Sequence, residues 1–220
     1  MDPLTVATAS VIAFAGIGTG LHWRRQAHLA AARAAELNRE LRAERHAASH
    51  DPLTGLPNRR AFYQRGPASL AQDHQRRVAV VLVDLDNFKQ INDRYGHAAG
   101  DEVLVVVARR FAAFASETGD NLVARLGGDE FVGLLTNPGG DEHWRHFAAH
   151  RLTEILAEPM QVAGETLVVT ASVGLAPLRG DTGLADAVHD ADAAMYRAKT
   201  QYRAKTQYHT NQACVLPYIG

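Results

Sequence analysis

The chain has 220 residues and a formal net charge of -1, with 23 Lys and Arg against 24 Asp and Glu. That balance argues against a broad cationic surface for nucleic acid, and 46% hydrophobic with 21% charged residues is globular rather than disordered composition. The single cysteine, Cys214, excludes an intramolecular disulfide and a cysteine-based zinc cluster.

Leu4 to Leu21 carries no charge and is about long enough for one membrane crossing, although Ala, Gly and Thr dilute its hydrophobicity. Arg24 and Arg25 follow at once, whereas only Asp2 and the terminal amine precede it. A secretory signal places its positive charge before the apolar run. The reverse order here predicts a single-pass anchor in the inner (cytoplasmic) membrane, with the remainder of the chain in the cytoplasm. The alternative is a buried helix. Residues 24–50 are rich in Ala, Leu, Arg and Glu without Gly or Pro, which predicts a helix. Ala30, Ala34, Leu37, Leu41 and Ala48 form a stripe with coiled-coil spacing, interrupted at Glu44. This segment is either a seam that holds two chains together or a solvated linker helix.

Asp51 to Asn58, DPLTGLPN, is a turn-rich break that opens the globular part. Residues 59–75 look partly helical, interrupted at Gly66-Pro67. Val78 to Val83 is a continuous apolar run, the pattern of a strand buried on both faces. Helical spacing resumes over 99–116 through Val103, Val106, Val107 and Phe111. NLVARL and FVGLL then flank Gly127-Gly128-Asp129-Glu130, which predicts a β-hairpin. Residues 142–158 read as helix, Leu167 to Leu175 as strand and 183–208 as helix. The fold class is therefore α/β, with a mixed central sheet flanked by helices.

The chemistry concentrates at two of these joints. Asp84 ends the buried strand, Asp86 follows two residues later, and Asp129 and Glu130 sit at the hairpin tip. If strand end and tip are neighbours, the carboxylates converge as hard oxygen ligands suited to Mg²⁺ carrying a nucleotide's phosphates. Gly127 and Gly128 let a phosphate approach the backbone. Asp51, Asp86 and Asp93 read as caps or turn residues, and Arg59 and Arg60 as residues that hold the opening turn. Tyr95 and His97 read as packing residues. His143, His146 and His150 share a helical face with no fourth ligand and read as a surface stripe.

Residues 127–131 spell GGDEF, and the chain resembles the diguanylate cyclase family that carries this signature. DPLTGLPNRRAF at 51–62, VDLDNFKQINDRYGHAAGDEVL at 83–104, VARLGGDEF at 123–131, ASVGLA at 171–176 and ADAAMYRAK at 191–199 resemble its ordered blocks. The resemblance implies a palm-like nucleotidyl cyclase fold and condensation of two GTP into cyclic di-GMP and two pyrophosphates. It implies a homodimer with one GTP per subunit, and Mg²⁺ (or Mn²⁺) as cofactor. Carried over position by position, Asp84, Asp129 and the Leu85 carbonyl would bind metal. Glu130 would assist the metal or activate the 3′-hydroxyl, and Gly127 and Gly128 would admit the substrate. Asn92 and Asp101 would read guanine, because a carboxylate accepts from its N1–H and exocyclic amine whereas adenine offers no such donor pair. Asn87, Phe88 and Lys89 would flank the phosphates, and Lys199 and Arg203 would reach them from the last helix.

Two departures stand out. The product-binding Arg-x-x-Asp common before the signature is replaced by Thr118 and Asn121, which predicts no strong product inhibition there. The closing Gly-Arg-Asn is replaced by Tyr202-Arg203-Ala204, where the second copy of a tandem RAKTQY begins. Taken together, these readings divide the chain into residues 1–25 as tail and transmembrane helix, 26–50 as linker helix, 51–208 as catalytic domain and 209–220 as tail. An active cyclase is the leading expectation. The alternative is a degenerate domain that binds GTP or a protein partner without turnover.

Overall fold

The computed structural model describes residues 3–71, 77–117, 119, 122–136, 142–178 and 183–213, excepting the side chains of 3–22, 68–71 and 201–213. The chain forms two units, Met1–Ala48 and Ser49–Gly220. The first is helix α1 (Pro3–Ser49). Its large apolar side chains Trp23, Leu29, Leu37 and Leu41 are exposed. Among the described residues no helix is long and apolar enough to cross a membrane. This overturns the expected single-pass inner-membrane placement and, with it, the membrane as a partner. The sequence-level reason is dilution: Thr5, Thr8, Ser10, Gly16, Gly18, Thr19 and Gly20 contribute little apolar surface to the run. From Arg24 onward the same helix is studded with Arg and Glu. The side chains of the run itself lie outside the described residues.

The second unit contains α2 (Arg59–Ala71), β1 (Val78–Leu85), α3 (Phe88–Tyr95), α4 (His97–Ser116), β2 (Leu122–Gly127) and β3 (Glu130–Thr136). These are followed by α5 (Glu142–Leu156), β4 (Met160–Val162), β5 (Glu165–Leu167), β6 (Ala171–Leu178) and α6 (Leu184–Ala213). The main sheet runs β2-β3-β1-β6. Each of its ladders is antiparallel, and an isolated parallel bridge joins Asn58 to Arg125. The helix-covered α/β architecture is as the sequence predicts.

β1 is central and buried on both faces because its residues alternate between two cores. Val81, Val83 and Leu85 pack with Val103, Val107 and Phe111 of α4 and Leu152 and Leu156 of α5. Val80 and Leu82 pack with Phe62 of α2 and Ala187, Ala191 and Met195 of α6. Burying each such side chain contributes about 1.5–3 kcal/mol. α6 lies directly on β6 at Gly174, where an added Cβ would sit 2.2 Å from the Ala191 carbonyl oxygen.

Three local features depart from the sequence reading. α2 continues through Pro67 instead of breaking there. Phe62 anchors it in the core, and Gly66 admits Leu184 so closely that a Cβ would meet its Cδ2 at 2.6 Å. α3 stands apart from α4 as a separate helix, divided from it at Gly96 (φ 86°). None of its residues is fully buried, but Phe88, Ile91 and Tyr95 form a short apolar stripe that packs against the core. The expected strand over 167–175 is two strands: β5 pairs with β4 around a positive-φ turn at Ala163-Gly164, and β6 begins at Ala171.

Candidate active site

The strand end and the hairpin tip are neighbours. In the β1–β3 ladder Asp84 lies directly opposite Glu130. The Leu85 N–H donates to the Asp129 carbonyl at 3.4 Å, and the Asp86 N–H donates to the Thr170 carbonyl at 2.9 Å. Because bonding alternates along an antiparallel ladder, Asp84 and Glu130 form the non-hydrogen-bonded type of pair, whose side chains stand closest. A strand residue points its N–H and C=O to the same side, so the Leu85 carbonyl also faces the hairpin. The tip bends through Gly127 (φ 143°) and Gly128 (φ 53°), and a Cβ on either would meet nothing within 4 Å. Glycine is needed there for its backbone freedom, and the space above the turn is open.

The electrostatics follow from this crowding. Burial pushes the Asp129 carboxyl above its ordinary range, and the nearby Asp84 charge adds to the shift while Lys199 and Arg125 oppose it. Burial also raises Glu130, helped by Asp84, Asp129 and Asp192 and opposed by Arg59. Lys199, brought down from α6, forms an ion pair with Asp84. Like charges directly opposite on a sheet are destabilising, so this rim is a concentration of negative charge that favours a cation.

The donor set fits a magnesium ion delivered with a nucleotide. Mg²⁺ is held by one or two carboxylates plus substrate phosphate oxygens and waters, rather than by an all-protein cage. Accordingly, among the described residues no group of three or more acidic, Cys or His side chains could by itself hold a metal ion. Asp84, Asp129 and the Leu85 carbonyl offer hard oxygens on one rim, with Glu130 beside them.

A second cluster lies where α3 meets α4. A Cβ on Gly100 would fall 1.9 Å from the Asn92 Oδ1 and 3.2 Å from the Phe88 ring. Only glycine lets Asn92 lie against the start of α4, immediately beside Asp101. Asp101 is exposed, Asn92 is half-buried, and Phe88 packs on the core below. Asn87 holds the left-handed conformation (φ 57°) at the head of α3, and it and Lys89 are exposed. An Asn tolerates that conformation better than most residues. The Arg203 side chain lies outside the described residues, as do Thr118 and Asn121.

Sequence reasoning missed Arg125. Its guanidinium donates to both Asp51 carboxylate oxygens, at 3.0 and 3.2 Å, and to the Gly128 carbonyl from Nε and Nη2, at 3.0 and 2.7 Å. One side chain thus ties the opening turn to the signature turn. Burial alone would raise the Asp51 carboxyl, but hydrogen bonds from the Thr54 hydroxyl and N–H, together with Arg125, hold it below its ordinary range. The only sequence signal was an arginine two residues before the glycine pair. Its partner 74 positions away is a fact of tertiary structure. Asp51 does serve in a turn, as expected. Asp86 also lies in a turn, and it is buried. His146 and His150 are exposed and pair with Glu142 and Glu154 at 3.6 Å.

Residues 48–205 match the model of the diguanylate cyclase GGDEF domain. This chain belongs to the GGDEF family. It is 43% identical over 160 residues to the diguanylate cyclase TpbB of Pseudomonas aeruginosa, covering 71% of this chain and 36% of that protein. A sensory box/GGDEF family protein from Caulobacter crescentus superposes with a TM-score of 0.63 at 38% identity, covering 70% of this chain and 99% of that one. The coiled coil and GGDEF domain of DgcB from the same organism, solved in complex with c-di-GMP, gives a TM-score of 0.68 at 27% identity, covering 80% and 94%. The chain spans about a third or less of the curated relatives it matches, from 36% down to 19%.

Proposed function

We propose that this GGDEF chain is a diguanylate cyclase that joins two GTP into cyclic di-GMP as a homodimer, one GTP per subunit. The observation that carries the reading is the register that sets Asp84 opposite Glu130, with Asp129 on the adjoining turn and Lys199 above. In the reaction each 3′-hydroxyl forms a bond to the α-phosphorus of the other GTP. The bond from that phosphorus to the β-phosphate bridging oxygen breaks, pyrophosphate leaves, and the hydroxyl proton is lost.

Asp84, Asp129 and the Leu85 carbonyl would hold Mg²⁺ or Mn²⁺, which when bound supplies charge stabilisation for the attacking and leaving oxygens. Glu130, whose carboxyl burial and the neighbouring acids hold above its ordinary range, is suited to take the 3′-hydroxyl proton. Asn92 and Asp101 read the guanine edge. Asn87, Phe88, Lys89, Gly127 and Gly128 border the phosphates, and Lys199 and Arg203 contribute positive charge. Two such half-sites must face each other, and the α1 stripe with Leu37 and Leu41 exposed is suited to pair two chains.

The test is incubation of the chain with GTP and Mg²⁺ followed by chromatographic separation of the products. Cyclic di-GMP and pyrophosphate in a one-to-two ratio, at a specific rate that rises with protein concentration, is expected. GTP bound but unconverted at high protein concentration would replace this reading with the non-turnover one.

A further inference from the structure

Asp84, Asp86 and Ser172 are the buried polar residues of the described chain, and two of them have no part in the chemistry above. We propose that Asp86 and Ser172 are positioning residues that lock the end of β1, and with it Asp84 and the Leu85 carbonyl, into the geometry a metal requires. The proposal rests on the functional reading just given.

Asp86 and Ser172 are 7% and 4% exposed, and the Ser172 hydroxyl donates to the Asp86 Oδ1 at 2.7 Å. The Asp86 main chain is held as well, through its N–H to the Thr170 carbonyl. Asp86 is therefore clamped to Thr170, just before β6, and to Ser172 within it. These two anchors straddle Ala171, the register partner of Leu85, and Ser172 is itself the register partner of Asp84. The clamp thus closes on the same stretch of chain that pairs with the two residues offered to the metal.

A clamp is needed at this point. Immediately beyond Asp86 the chain leaves the sheet through Asn87 in the left-handed conformation, so β1 has no further ladder to stop its end fraying. Metal ligands must be held within about 0.5 Å of their productive positions by groups that do not themselves touch the ion. A buried carboxylate is a costly way to hold a strand end, since it must be hydrogen-bonded to be tolerated. Its retention where two ligands emerge fits a demand for orientation more than for stability.

The test uses Ser172→Ala, Ser172→Thr and Ser172→Cys in the full chain. Mn²⁺ affinity is read from the spin resonance of the free ion, kcat and KM from GTP turnover, and folding from thermal melting. Ser172→Ala should weaken Mn²⁺ binding and lower kcat by about 10–100-fold, with a smaller effect on the KM for GTP. Ser172→Thr keeps the hydroxyl and should recover most of both. If Ser172→Ala fails to fold, Ser172→Cys offers a weak donor of similar size and should show a partial loss of the same kind. Unchanged Mn²⁺ affinity and kcat per folded molecule, whatever the melting temperature, would overturn the proposal. So would a Ser172→Thr chain as defective as Ser172→Ala. If the unaltered chain binds Mn²⁺ but makes no cyclic di-GMP, the cyclase reading fails, and the Mn²⁺ affinities of the variants still decide this one.

Discussion

Gly174 offers the sharpest link between packing and activity. An added Cβ would lie 2.2 Å from the Ala191 carbonyl oxygen and 2.3 Å from the Met195 nitrogen, both backbone atoms of α6. Neither can rotate away, so in Gly174→Ala the helix itself must withdraw. Ordinary contact begins near 3.4 Å, which asks for an outward shift of about 1.2 Å. Overpacking of this kind costs about 1–3 kcal/mol. Alanine recovers about 0.4–1 kcal/mol by restricting the unfolded chain, leaving a net loss of at most about 2.6 kcal/mol. The functional consequence is larger than the stability one. Lys199 stands four residues beyond Met195, on the same face of α6, so the shift lifts its ammonium away from Asp84. A misplacement of about 1 Å can reduce turnover by about 100-fold. Urea denaturation and GTP turnover per folded molecule measure the two effects separately. A Gly174→Ala chain with stability within about 0.5 kcal/mol of the parent and undiminished turnover would refute the reasoning.

The raised carboxyls give a pH signature: folded Asp129 and Glu130 retain protons that the unfolded chain has already released. Their contribution makes stability fall as pH rises from their ordinary values of 3.8 and 4.5 through their higher folded values. Glu130→Gln should flatten this slope in metal-free urea titrations, and a slope left unchanged would count against the assignment. Asp51 acts in the opposite sense, since its lowered carboxyl stabilises above its ordinary value of 3.8 and loses that contribution as pH falls through the folded value. Arg125→Ala removes the guanidinium from the Gly128 carbonyl and from Asp51, which keeps only Thr54 as donor, and should cost about 1–3 kcal/mol; a change below about 0.5 kcal/mol on denaturation would mean the two turns are held by other contacts. If Asp101 reads the guanine edge, the parent chain should favour GTP over ITP, which lacks the exocyclic amine, by about 10–100-fold in kcat/KM. Asp101→Ala should then collapse that preference, and an equal preference in both chains would exclude the role.

The site was legible in the sequence wherever it is written in local pattern. The apolar run ending in Asp84 announced a doubly buried strand with an acid at its end, and two short apolar runs about a glycine pair announced the hairpin. α3 was not legible, because its apolar stripe is only Phe88, Ile91 and Tyr95 within eight residues, too short to stand out between the strand end and α4. The β4–β5 hairpin was hidden by an Ala in a positive-φ turn position, a conformation that sequence rules assign to Gly or Asn. The expected membrane crossing shows the same boundary from the other side. A run without charges is necessary for a span, but the apolar surface carried by each residue decides it.

By itself the sequence determined the order of the elements other than α3 and the β4–β5 hairpin, the two faces of β1 and the residue types gathered at the strand end and the tip, because each follows from spacing and propensity along a few residues. Only the tertiary structure decided that Asp84 stands opposite Glu130, that Lys199 descends onto Asp84, and that Arg125 reaches Asp51. It also showed that the turn residue Asp86 is buried and bonded to Ser172. These depend on ladder register and on how closely α6 approaches β6 at Gly174. A shift of one residue in that register would exchange the two faces of the strand and carry every carboxylate to the wrong side of the sheet.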